Sequence, residues 1–355
     1  MPNLILELSR DGLYCPAGDF FIDPWNPVTR AVITHSHSDH ARPGSGTYLT
    51  AASGEKVLRY RLGSEASIET VPYGETRRLG DVQVSLHPAG HVLGSAQVRV
   101  AQGGEVWVVS GDYKLAPDPT CDPFEPVRCH TFITESTFGL PIYRWPADTA
   151  VFAEINQWWR RNQEAGKASV LFAYSLGKAQ RVLSGVDAGI GPILAHGAVR
   201  NLNWCYRQSG IPLPAADSPL SVAKGYDFSR ALILAPPSAH GTPWIRRFGA
   251  VSTAFASGWM RIRGTRRRRY IDRGFVLSDH ADWPGLLEAV SLTGAESIWV
   301  THGYRSALAR WVTEQGKEAR VVETRWEDDE LGNAETDSLD TSEADTEEAG
   351  TQVAD

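Results

Sequence analysis

The run Ile33-Thr34-His35-Ser36-His37-Ser38-Asp39-His40 places three histidines and an aspartate within six residues, directly after the apolar stretch Ala31-Val32-Ile33. A fold built on this segment must bury the apolar stretch and still gather four strong metal donors in one place. Such crowding is costly unless a cation binds the donors. Neutral imidazoles with a carboxylate suit zinc, and suit manganese or iron when the oxygen share is larger. His35 and His37 lie two apart, so on an extended segment both point to the same side. Asp39 and His40 follow where the strand gives way to a loop, and can turn toward a second ion. The competing reading is a polar loop that happens to be rich in histidine.

A two-metal site needs more donors than one loop supplies, and the chain offers them. They stand in Gly90-His91-Val92-Leu93-Gly94-Ser95, in Ser110-Gly111-Asp112-Tyr113 and in Val300-Thr301-His302-Gly303. Each follows an apolar, strand-like segment: Val82 to Leu86, Val106 to Val109, and Ser297 to Val300. Phe132-Ile133-Thr134-Glu135 and Phe275-Val276-Leu277-Ser278-Asp279-His280 end the same way. Strands that each close on a polar residue imply sheets whose ends share an edge, where a rigid scaffold holds functional loops. One such histidine alone is ordinary; the set together is not.

In order and context, His35-x-His37-x-Asp39-His40, His91, Asp112 and His302 resemble the ligand set of the metallo-β-lactamase fold. Glu135 in Thr134-Glu135-Ser136-Thr137, His280 in Leu277-Ser278-Asp279-His280-Ala281-Asp282, and Thr301-His302-Gly303 resemble the nuclease branch with β-CASP motifs. That branch includes RNA 3′-end processing endonucleases and DNA repair nucleases. Phe172 through Gln180 (FAYSLGKAQ) looks like the opening of the β-CASP cap. Thr134 through Pro146 and Asp118 through Val127 look like the bacterial ligase-associated DNA exonucleases. The resemblance covers roughly residues 1 to 326. It implies an α/β fold, a metallo-β-lactamase αββα sandwich with an inserted small α/β, β-CASP-like cap domain.

The resemblance also implies roles. His35, His37 and His91 would hold one divalent ion, Asp39, His40 and His302 the other, and Asp112 would bridge them. Zinc is expected, with manganese as the alternative. Two ions about 3.5–4 Å apart can share a hydroxide that attacks a phosphodiester at neutral pH. Asp23 would orient a ligand imidazole from behind; the alternative is a simple Asp23-Pro24 turn. Asp39, Asp112, Glu135 and His280 are the expected catalytic set. An imidazole held by a carboxylate can contact a phosphate oxygen or protonate the leaving 3′-oxygen. The bland alternative is that Glu135 and Ser136 cap a turn while His280 pairs with Asp279.

Composition fits an intracellular enzyme with a substantial core in its 355 residues. Cys15, Cys121, Cys129 and Cys205 show no CxxC pairing, which argues against a disulfide framework. No leader-like or membrane-spanning apolar stretch stands out, so a cytoplasmic location is expected. The net charge of −7 would disfavour nucleic acid, but residues 327–355 carry 12 acidic groups and no Lys or Arg. Without them, 35 basic residues face 30 acidic ones, a net of +5. That acidic segment, poor in large apolar residues, is expected to be a disordered tail. It serves as a solubilising appendage, or else as a DNA mimic or partner-binding segment.

The pattern predicts a first sandwich segment over 1–145, a cap over 146–265, a second sandwich segment over 266–326 and the tail over 327–355. A short helix should follow Ser53 as N-cap, and Asp282 should cap a helix with Leu286, Leu287 and Val290 on its apolar face. The cap should hold a Trp158-Trp159 helix, a strand from Ala168 to Ala173 and a helix from Lys178 to Leu183. Arg261, Arg263, Arg266, Arg267, Arg268 and Arg269 crowd the cap's end. With Lys178, Arg181, and Arg144 beside Trp145, they form an expected track for a phosphate backbone. A cluster of this kind is otherwise a solvated face.

The leading expectation is a dinuclear metal-dependent DNA exonuclease acting on single strands or DNA ends. By resemblance it works in repair beside an ATP-dependent DNA ligase and a helicase. An RNA-processing ribonuclease of the same branch is the alternative. A DNA-end scaffold with structural metals is a third reading, and a thioester or lactam hydrolase is disfavoured by Glu135, His280, the cap and the arginine run.

Overall fold

The computed structural model describes residues 4–262 and 271–323. Three sheets carry the fold. The first has six strands in chain order: Glu7–Ser9, Gly12–Cys15, Phe20–Ile22, Arg30–Val32, Thr47–Ala51 and Ile68–Val71. The second has seven, ordered Glu318–Val321, Ser297–Val300, Thr131–Thr134, Glu105–Val109, Ala96–Gln102, Val82–Pro88 and Thr76–Leu79.

Period-two alternation explains how these two sheets stack. Val82, Val84, Leu86, Val98 and Val100 face Ile22, Val32 and Leu49 of the first sheet in one core. On Glu105–Val109, Trp107 and Val109 join that core, while Val108 points to the opposite face. There it meets Leu286 and Val290 of helix Trp283–Thr293 and Leu308 and Val312 of helix Arg305–Glu314. On the far side, Leu58 of helix Glu55–Leu62 packs on Ala31, Ile33 and Tyr48. The layers are therefore helix, sheet, sheet, helix. Asp282 caps its helix by accepting the Gly285 N–H at 3.0 Å, as its position predicts. Ser53 does not cap the other helix. It lies inside a single 3₁₀ turn, Ala52–Gly54, and Gly54 occupies the cap position.

The third sheet is wholly parallel, ordered Ile193–Ala195, Leu232–Ala235, Ala168–Phe172, Val251–Ala256 and Arg273–Phe275. Its strands are nearly continuous apolar runs because both faces are covered. Val151, Ile155 and Trp159 of helix Asp148–Glu164 and Val182 of helix Lys178–Gly185 cover one face. Phe138, Tyr143, Phe248 and Trp259 cover the other. The last strand corrects the expected boundary at 265: Arg273–Phe275 hydrogen-bonds to Val251–Ala256 and belongs to this unit. The strand ends at Phe275, so residues 276 to 280 form an irregular connection instead of the expected extension toward Ser278. Val57, Leu93, Leu176, Leu202 and Tyr206 pack together where this unit meets the sandwich. All four cysteines are buried and unpaired. No described helix is long and apolar enough to cross a membrane.

Candidate metal centre

Strand Arg30–Val32 of the first sheet and strands Glu105–Val109, Thr131–Thr134 and Ser297–Val300 of the second end at a common edge. The Ala96 N–H donates to the Thr34 carbonyl at 2.7 Å and closes the two sheets together there. Gly111, with φ +56°, lets the Asp112 turn pass against Thr34; an added Cβ would lie 2.6 Å from Thr34 Cβ. These contacts bring the scattered donors into one cluster.

His35, His37, His91 and Asp112 offer donor atoms that all lie within 4.8 Å of one another. His37 Nδ1 is 3.1 Å from both His35 Nε2 and His91 Nε2. Asp112 Oδ2 is 3.4 Å from His35 Nε2 and 3.8 Å from His91 Nε2. A tetrahedral ion with bonds of about 2.1 Å spaces its ligands about 3.4 Å apart, so the donor set fits zinc or a cation of similar size. The remaining ring nitrogens are tied from behind. His91 Nδ1 meets the Asp279 carbonyl at 2.8 Å, His37 Nε2 the Leu176 carbonyl at 3.4 Å, and His35 Nδ1 the Thr34 hydroxyl at 3.1 Å. Each tie turns a lone pair into the cluster. Burial, followed by the neighbouring imidazoles, holds His35 and His91 well below the usual histidine range. Both are thereby neutral and competent to coordinate.

A second set begins at the same carboxylate. His40 Nε2 lies 3.6 Å from Asp112 Oδ2 and 3.4 Å from Asp39 Oδ2, and the His40 and His302 ring centroids are 5.6 Å apart. Asp23 stands behind it. Its Oδ2 meets His40 Nδ1 at 2.7 Å, while its Oδ1 accepts the Thr34 N–H at 2.8 Å. Burial pulls the His40 pKa down, but Asp39, Asp112 and Asp23 outweigh it and hold the ring well above the histidine range. Burial and the nearby His40 push His302 to about 4. Burial also drives Asp112 up to about 7, against the pull of His40. A carboxylate flanked by two sets of imidazoles, and reluctant to ionise without a cation, is suited to bridging two ions.

Glu135 and His280 meet beside this cluster. His280 Nδ1 is 3.1 Å from each Glu135 oxygen and 4.0 Å from Asp112 Oδ2. Glu135 Oε1 also accepts the Tyr113 N–H at 2.9 Å, which links it to the Asp112 turn. Burial raises its pKa, yet His280 outweighs that and keeps the carboxyl below its ordinary value. Asp279 faces Lys178 and Arg181.

Two residues of the expected nucleic-acid track lie inside the protein. Lys178 and Arg181 are buried in ion pairs with Asp279, Asp118 and Asp148, so neither presents a charge to solvent. Carboxylates contributed by three other segments took them inside. Arg144 and Arg261 are exposed and near each other, since Arg261 Nε donates to the Ile142 carbonyl at 3.2 Å. Arg263, Arg266, Arg267, Arg268 and Arg269 lie outside the described residues, as does the segment 327–355. Thr34, Tyr113 and the carbonyls of Leu176 and Asp279 had no sequence signal beyond their place beside motif residues.

No protein-family model matches the chain. A protein named "Probable DNA ligase" from Opitutus terrae is 31% identical over 314 residues, covering 88% of this chain and 30% of that protein. The transcription termination factor FttA of Pyrococcus abyssi is 31% identical over 146 residues, 38% of this chain and 22% of its own. The endoribonuclease ysh1 of Aspergillus fumigatus is 30% identical over 169 residues, 45% of this chain and 19% of its own. The chain thus spans less than a third of the length of these relatives. A crystal structure of a protein of unknown function from Enterococcus faecalis V583 superposes with a TM-score of 0.56. It covers 83% of this chain and 79% of that one at 11% identity, which shows a shared mixed α/β fold. A nuclease is therefore among the proteins this chain resembles.

Proposed function

We propose that this chain is a metallo-β-lactamase-fold nuclease with a β-CASP-like insert, and that it degrades DNA exonucleolytically. The observation that carries the reading is the place of Asp112 Oδ2, 3.4 Å from His35 Nε2, 3.6 Å from His40 Nε2 and 4.0 Å from His280 Nδ1. His35, His37 and His91 would hold one ion, Asp39, His40 and His302 the other, and Asp112 both. Zinc or manganese held there would supply Lewis-acid charge for a phosphodiester and acidify a water. Asp23 fixes the ring angle of His40 through Nδ1. With Nδ1–H donated to Glu135, His280 is left to exchange a proton at Nε2, where a leaving 3′-oxygen can take it. The unit spanning 146–275 would wall the site and exclude bulk water, and exposed Arg144 and Arg261 would meet phosphates.

The DNA reading is supported by the protein named as a DNA ligase, because its similarity runs through 88% of this chain. Repair work beside a ligase and helicase follows from that reading. The endoribonuclease relative favours RNA as the second reading. A cleavage assay with end-labelled single-stranded DNA, duplex DNA and RNA of matched sequence separates them. It uses metal-free protein resupplied with zinc or manganese, beside Asp39→Ala. Stepwise release from DNA, lost in Asp39→Ala, is expected and also reveals polarity. Cleavage of RNA alone would replace DNA as substrate, and binding without cleavage under either metal would leave a scaffold.

A further inference from the structure

Six ionisable side chains form a buried cluster that touches the metal centre through one peptide carbonyl. Lys114, Lys178 and Arg181 face Asp118, Asp148 and Asp279, three cations against three carboxylates. Only Asp148 has appreciable exposure, at 32% of its side chain. Arg181 sits at the middle. Its Nη2 donates to both Asp148 oxygens at 2.7 and 2.6 Å, and its Nε lies 3.2 Å from Asp118 Oδ2. Its Nη1 donates to the Ser278 carbonyl and lies 3.3 Å from Asp279 Oδ1. The other Asp279 oxygen is 3.5 Å from Lys178 Nζ. Asp118 is held in turn by the Thr120 N–H and hydroxyl at 2.9 and 2.6 Å.

One guanidinium thereby joins the helix Lys178–Gly185, the start of helix Asp148–Glu164, the loop carrying Asp118 and the connection 276–280. That connection has no ladder of its own, since its strand stops at Phe275. Yet it must present the Asp279 carbonyl to His91 Nδ1 at 2.8 Å and His280 Nδ1 to Glu135 at 3.1 Å. A planar fork of five donors can hold the several acceptors around it at fixed angles; an ammonium cannot.

We propose that Arg181 is a positioning residue for the metal centre, clamping Ser278 and Asp279 so that the Asp279 carbonyl sets the tautomer and ring angle of His91. This rests on the reading of His91 as a metal ligand. It replaces the contact with nucleic acid expected of Arg181 from the sequence.

The test uses the full chain as wild type, Arg181→Lys, Asp148→Asn and His91→Ala. Manganese and zinc stoichiometry and affinity are measured by competition with a chromophoric chelator, and the His91 Nδ1–H is followed by ¹⁵N-histidine NMR. In Arg181→Lys, the site at His35, His37 and His91 should weaken about tenfold, with the other site within about twofold. The His91 Nδ1–H resonance should shift or broaden. A folded Arg181→Lys with both affinities and that resonance unchanged overturns the role. Equal weakening of both sites also overturns it, because that is the mark of a merely structural charge. If Arg181→Lys does not fold, Asp148→Asn removes the charge and one of the two oxygens that accept from Arg181 Nη2, at a partly exposed position. An unmoved His91 resonance there overturns the proposal equally. Should His91→Ala retain both ions at full affinity, the ligand assignment itself fails and the inference falls with it.

Discussion

His280 and Glu135 are separated by 145 positions and meet at 3.1 Å, with the carboxylate spanned by Nδ1. In the proposed role of proton donor, His280 acts in the chemical step. His280→Ala should therefore lower turnover by about 10²- to 10⁴-fold with metal content retained. Parallel kinetics and elemental analysis check this, and an unchanged rate would remove His280 from the mechanism. Asp112 sets a pH dependence. Its proton is held up to about pH 7 by burial, so a bound cation must displace it. His40, held protonated well above the usual range by its three carboxylates against the effect of burial, must give up a proton too. Both losses become harder as pH falls. Metal affinity should drop at least about tenfold per unit below pH 7, with proton release measurable by calorimetry in buffers of different ionisation heat.

At the scale of elements, strand ends decide the site. Val109, Thr134 and Val300 finish neighbouring parallel strands, so Asp112, Glu135 and His302 arrive at one edge without any regular structure of their own. Gly111 permits the arrival of Asp112 because its φ of +56° and missing side chain admit Thr34. Gly111→Ala should cost about 1–3 kcal/mol of stability from the strained backbone and the clash. It should also weaken binding of both ions, because Asp112 moves away from His35 and His40. Denaturant unfolding and metal titration on the same sample test this; loss of stability with intact metal binding would separate the turn from the site. The apolar patterns of the strands were readable because period-two alternation is local. The cap of helix Glu55–Leu62 was not, since a 3₁₀ turn displaced Ser53 by one position.

For the whole molecule, the parallel five-stranded unit and the sandwich meet beside the metal cluster. Exposed Arg144 adjoins Trp145, whose Nε1–H donates to the His280 carbonyl, while exposed Arg261 donates to the Ile142 carbonyl. If a nucleic-acid backbone runs there, Arg144→Gln with Arg261→Gln should weaken binding similarly for all sequences. The slope of log affinity against log salt should fall by about 0.7 per lost phosphate contact on single strands. Binding isotherms across a salt series check it, and an unchanged slope would place the backbone elsewhere. The net −7 charge does not oppose this reading, because 12 acidic groups belong to residues 327–355 alone.

Residue types and near neighbours suffice to read the candidate donors, the strand and helix periodicities and the cap at Asp282. Tertiary structure decided which charges reach solvent and which serve the interior. Lys178 and Arg181 read as phosphate contacts until Asp118, Asp148 and Asp279 enclose them, in pairings as distant as Lys178 with Asp279. It also decided that Arg273–Phe275 joins the inserted sheet, and that Glu135, not Asp279, faces His280. Such pairings are set by how distant segments stack, and burial makes an unpaired charge costly enough that partners, not propensity, fix where it lies.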